Sequence, residues 1–137
     1  KALAAASDSG GEETSPPARG QPPADRLVNM RLLATKKNVP LSDEVALFLN
    51  ELEGEIEQLN AAIREEDVAA AGRFAHMLCG RSGFIFEREV ETTLRRIEAA
   101  VAIGQWTEVQ VLQHELQAQL VDLRLRLASV APVAPPA

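Results

Sequence analysis

His76, His114 and Cys79 are the chain's imidazole and thiol groups, since its 137 residues include only two histidines and one cysteine. Imidazole titrates near neutrality, so an exposed histidine is both a proton carrier and a nucleophile at physiological pH. His76 and Cys79 stand three residues apart in AHMLCG (75–80) and would make at most half of a metal site, with no further ligands evident. A single cysteine excludes an internal disulfide and a Cys-cluster zinc site. Cys79 reads as a small, partly buried filler rather than a redox thiol. A di-iron helical bundle needs paired Glu-x-x-His motifs, yet Arg73 and Val111 stand three residues before the two histidines. Nucleophilic work by a histidine is the chemistry that remains.

The pattern around His76 is helical, and it carries glycines at 72, 80 and 83. Each costs roughly 1 kcal/mol relative to alanine inside a helix. On a wheel of about 100° per residue, Ala71, Phe74, Leu78 and Ile85 gather opposite His76 as the expected core stripe. Gly72, Gly80 and Gly83 fall within about 40° of His76 by the same geometry. Glycines that let helices pack closely belong on the buried stripe, and these lie opposite it. The ordinary role of a lone helical histidine is that of a surface polar residue, which leaves the glycines unexplained. The expectation is therefore a solvent-facing histidine on a bare strip, open to a second protein's backbone and active site. Arg73 and Cys79 flank the strip, and Met77 and Phe84 offer apolar contacts for docking.

The elements that must position this strip are helices. Ala, Leu, Glu, Gln and Arg abound, tyrosine is absent and β-branched alternation is rare, which favours an all-α fold. A short helix is expected over 25–35 with Asp25 as its N-cap, then a six-turn amphipathic helix over 42–64 capped by Ser42. A third helix over about 66–83 carries His76, a fourth runs over 87–103 to Gly104, and a last one spans 106–127. Short connections make neighbours antiparallel, so the expected architecture is an up-down antiparallel four-helix bundle with a short extra N-terminal helix over one end. Residues 1–24, as in GGEETSPPARGQPPAD, read as a disordered Pro/Gly/Ser-rich linker, 25–128 as the folded domain, and 129–137 as a disordered tail. The formal net charge of −6 argues against a nucleic-acid partner. No apolar run approaches the ~20 residues of a membrane span, so a cytoplasmic module without direct membrane contact is expected.

The stretch EEDVAAAGRFAHMLCGRSGFI resembles the signature of histidine phosphotransfer (HPt) domains of bacterial phosphorelays, with Ala75, His76, Leu78, Gly80 and Ser82 matching. FLNELEGEIEQLNAAIREED is similar to that family's first bundle helix, and TLRRIEAAVAIGQWTEVQVLQHEL to its L-x-x-x-E segment, turn and last helix, so the resemblance covers about residues 41–127. It implies that His76 accepts a phosphoryl group from a receiver-domain aspartate and passes it to another response regulator. It implies too that the domain binds no cofactor of its own, with Mg²⁺ on the partner receiver. A monomeric module of a hybrid sensor kinase is the setting it suggests. Two positions depart from the pattern: Cys79 replaces the usual lysine, and Phe86 replaces a later glycine. Arg73 could supply the missing cation. The competing reading is a degenerate HPt-like bundle that binds a receiver or dimerises without carrying phosphate. QHELQAQL (113–120) resembles the H-box of sensor-kinase dimerisation domains at His114, Glu115, Leu116 and Leu120, but lacks its Arg, Thr and Pro.

Overall fold

A computed structural model describes residues 24–130, and among them five helices and no strand. These are α1 (Val28–Lys37), α2 (Leu41–Arg64), α3 (Val68–Phe84), α4 (Arg88–Ala102) and α5 (Trp106–Val130). The fold is all-α. The expected linker and tail lie outside the described residues except at their inner ends, where Ser129 and Val130 continue α5 rather than begin a tail.

One turn design joins the helices. Asn38, Glu66, Phe86 and Gly104 each adopt positive φ, at 59°, 53°, 56° and 71°. In each turn the next residue's N–H reaches back to a carbonyl of the last helical turn: Val39 to Ala34, Asp67 to Ala62, Glu87 to Ser82 and Gln105 to Ala100. This is the left-handed cap that satisfies orphan carbonyls and stops a helix sharply. Gly104 adopts it without steric cost, while the other three residues bear a Cβ there.

Two starts differ from the sequence expectation. α2 begins at Leu41, so Ser42 sits inside its first turn rather than capping it. Pro40, at φ −66°, already has the entry geometry, and its carbonyl accepts from the N–H groups of Asp43 and Glu44. α1 begins at Val28 behind Leu27, and Asp25 acts one turn earlier, accepting from Leu27 N–H at 3.0 Å and holding Arg31 at 2.7 Å. α3 starts where an acidic cap can hold it, with Asp67 accepting from Ala70 N–H at 3.0 Å.

α3 packs against α2 and α4, α5 against α4 and α2, and α1 against α2. The core between them is aliphatic. Leu59, Leu78, Leu94, Ile97, Leu112, Leu116 and Leu123 are fully buried, each contributing about 1.5–3 kcal/mol of transfer free energy. Among the described residues, no helix is long and apolar enough to cross a membrane.

A polar staple closes one end. The buried Glu87 carboxylate accepts from Arg126 at 2.7 and 3.0 Å and from Arg26 at 3.4 Å, tying α5 and the start of α1 to the turn between α3 and α4. Asn29 adds a 2.9 Å bond from its side-chain amide to the Phe84 carbonyl. These bonds fix the end of α3, about two turns beyond the histidine.

Candidate functional site

His76 lies midway along α3 with its side chain 77% exposed. The buried stripe of α3 is Ala71, Ala75, Leu78, Cys79 and Ser82, continued by Ile85. It is rotated toward α4 from the expected one, because small Ala75, Cys79 and Ser82 let α4 approach while Phe74 stays half-buried at the edge. The rotation leaves His76 facing out.

The three glycines clear the ground beside it. A Cβ placed at Gly72, Gly80 or Gly83 would meet nothing within 4 Å, so no neighbouring helix needs the missing side chains. Their helix-propensity cost gives no packing in return. What it leaves is exposed backbone on either side of an imidazole.

Glu98 completes the geometry. It stands on α4 one residue beyond the fully buried Ile97, and its Oε2 lies 3.3 Å from Nδ1 of His76. A carboxylate at Nδ1 favours the tautomer with the proton on that nitrogen, which leaves the Nε2 lone pair outward and available. The sequence reading placed Glu98 in the LRRIE segment but not in the site. The available signal was its step of four from buried Leu94 combined with α3–α4 contact, which only the fold supplies.

Cys79 and Arg73 separate sharply. The Cys79 thiol turns inward toward α4, with Sγ 3.9 Å from the Glu91 carbonyl. Burial, reinforced by Glu98 and opposed by Arg95, pushes its pKa up to about 11. It is a protonated packing group, as its reading as a filler anticipated, and it is turned into the α3–α4 contact rather than onto the strip. Arg73 lies on the open side, its guanidinium 5.2 Å from the Phe74 ring centroid, and it has no ion pair among the described residues. Arg81 is committed elsewhere, bound to Glu55 at 2.6 and 2.7 Å and to Glu51 at 3.2 Å, which fastens α3 to α2 and raises the Arg81 pKa.

Beside the strip runs a groove of about 440 Å³, with Leu33, Phe48, Met77, Gly80 and Phe84 among its lining residues. The Phe48 and Phe84 rings stack at 6.4 Å within it, and Met77 is 43% exposed at its edge. His76, the glycine strip and this apolar groove thus share one face. His114 is on α5, in a separate hollow with Val111 and Ala118. Among the described residues, no group of three or more His, Cys, Asp or Glu side chains is placed to hold a metal ion.

No family model, curated protein or solved structure matches this chain.

Proposed function

We propose that this domain is a phosphohistidine carrier of the HPt kind, exchanging a phosphoryl group between His76 and receiver-domain aspartates. The observation that carries the reading is an exposed imidazole whose Nδ1 meets Glu98 and whose helix face is cleared by three glycines with empty Cβ positions. In this reading α2 to α5 form an up-down antiparallel four-helix bundle, with α1 as the extra N-terminal helix. The setting is a cytoplasmic phosphorelay, and the partners are response regulator receiver domains.

The chemistry asks little of the domain. The Nε2 lone pair attacks phosphorus, the N–P bond forms as the bond from phosphorus to the aspartyl oxygen breaks, and the carboxylate leaves on the receiver. The Nδ1 proton stays beside Glu98. Phosphoryl transfer is mostly positioning and charge stabilisation, and the receiver brings the Mg²⁺ for the latter. This chain holds the nucleophile on a rigid helix, keeps the approach open and offers the groove by Met77 and Phe84 as a contact. Phe86, where the HPt pattern has glycine, takes the left-handed conformation that glycine serves, so the turn after α3 is made despite the substitution.

The inward turn of Cys79 favours one rival, a receiver-binding module that carries no phosphate, because a buried neutral group stands where the usual lysine would and the nearby Arg95 is engaged by Glu91 at 2.6 Å. One experiment separates the two. The domain is incubated with a phosphorylated receiver and assayed for acid-labile, base-stable label. Label in the unmodified chain and none in His76→Gln, with equal helicity, is the expected result. Receiver binding without label leaves the rival standing, and label on His114 refutes the carrier role of His76.

A further inference from the structure

α5 carries two apolar stripes on opposite faces. Val109, Leu112, Leu116, Leu120, Leu123 and Leu127 are buried against the rest of the domain. Thr107, Val111, His114, Ala118, Val121 and Leu125 recur at alternating steps of four and three, and all are exposed. Val111, Val121 and Leu125 are 60%, 49% and 68% exposed, although each is a large apolar side chain. Averaged over about 100° per residue, the second stripe lies roughly 180° from the first. Steps of four and three are the a/d pattern of a helix-pairing seam, and at 1.5 Å per residue this seam runs for about 28 Å.

The rim of the seam says what fits it. Glu108 pairs with Arg96 at 3.8 Å, Asp122 with Arg126 at 2.9 Å and Arg124 with Glu53 at 3.0 Å. These charges are met within the domain, so the rim offers little to a basic helix or an anionic lipid surface. Gln110 and Gln117 remain on one side and Glu115, which has no ion pair among the described residues, on the other. In a parallel, in-register pair the g position of one helix faces the following e position of its mate. Gln110 then donates to Glu115 of the other copy, twice by symmetry. An antiparallel pair would set Glu115 against its own equivalent. We infer that the outer face of α5 is a self-association surface that pairs two copies of this chain in parallel.

The seam is short and interrupted. Ala118 floors a shallow hollow of about 650 Å³ between Val111 and His114, which suits knobs-into-holes packing but buries little area. Such an interface sits at the small end of specific contacts, with dissociation constants on the order of 10–100 µM. Because α3 packs on α2 and α4 rather than on α5, pairing leaves the His76 strip open. Self-association through α5 and phosphoryl transfer at His76 are therefore independent properties of the domain.

Sedimentation equilibrium of the full chain from about 10 µM to 1 mM tests it. The expected mass rises from the 14.8 kDa monomer toward the dimer. Val111→Glu and Leu125→Glu each weaken association at least tenfold with helicity unchanged, and His114→Leu tightens it several-fold. In a Cys79→Ala background, Leu125→Cys cross-links to itself under mild oxidation, as a parallel pair requires. A monomer at every concentration overturns the proposal. A dimer indifferent to Val111→Glu overturns it as well. Cross-linking between Leu125→Cys and Thr107→Cys copies, but not between like copies, overturns the parallel arrangement.

Discussion

Replacing Glu98 tests how the nucleophile is presented. The pair it makes with His76 is 3.3 Å long, but the two side chains are 39% and 77% exposed. Exposed ion pairs are worth about 0.2–1 kcal/mol, which at an RT of about 0.59 kcal/mol corresponds to a factor of about 1.4–5. Glu98→Ala is therefore expected to slow single-turnover transfer from a phosphorylated receiver by about two- to fivefold. Glu98→Gln should fall between that variant and the unmodified chain, since its amide oxygen still accepts from Nδ1–H. The rate alone would not separate orientation from general damage, so ¹⁵N chemical shifts of the His76 ring supply the second reading. The fraction protonated at Nδ1 should drop in Glu98→Ala and largely recover in Glu98→Gln. A loss beyond a hundredfold would mean that Glu98 takes part in the chemistry. An unchanged tautomer with a slowed rate would refute the orienting role.

The strip predicts a contrast at one position: Gly80→Ala should stabilise the domain by about 0.5–1 kcal/mol in urea and leave transfer intact, since its Cβ meets nothing within 4 Å. Gly80→Leu should keep the fold and cut transfer by more than tenfold. Arg126→Met strands the Glu87 carboxylate, whose side chain is 8% exposed, with Arg26 at 3.4 Å as its remaining cation among the described residues; a loss of about 1–3 kcal/mol is expected, and Glu87→Leu in the same chain should recover most of it. Glu66→Gly relieves a left-handed residue at φ 53° on an exposed turn and should gain about 0.5–1 kcal/mol. The Cys79 thiol, pushed from 9.0 to about 11, loses its proton first in the unfolded chain. Its contribution is intact below pH 9 and falls as pH rises from 9 to 11, so the stability of Cys79→Ala relative to the unmodified chain should improve between pH 8 and pH 10.5.

The helices were legible because their signals are local. The steps of three and four from Val45 to Ile63 and from Val109 to Leu127 appear as buried stripes of α2 and α5, and Gly104 stops α4 at the expected place. Boundaries slipped where two local signals competed. Ser42 is a good cap by type, but Pro40 two residues earlier fixes the entry angle first. Asn38 is of a type that favours the left-handed cap, but Glu66 and Phe86 take that position without being glycine or asparagine, so no composition rule marks those two as helix stops. The outer seam of α5 was hidden by its neighbour: once the leucine stripe accounts for a helix, the sparser Val111, Val121 and Leu125 read as ordinary surface.

The site divides the same way between local and non-local information. A wheel of one helix placed His76 outward and the glycines around it, because each relation lies within two turns of α3. It could not place Cys79, which is about 60° from His76 on that wheel and so on the boundary between strip and core. Contact with α4 decides the matter by offering Cys79 the Glu91 carbonyl and an apolar berth. A lysine at the same boundary would lay its stem along the surface and carry its ammonium outward, so the substitution changes which helix the position serves as well as its charge. The same α3–α4 contact that takes position 79 out of the strip brings Glu98 to His76. A cation that assists a phosphoryl group here comes from Arg73, from Arg95 on α4 if it leaves Glu91, or from the partner, while the orienting carboxylate comes from α4.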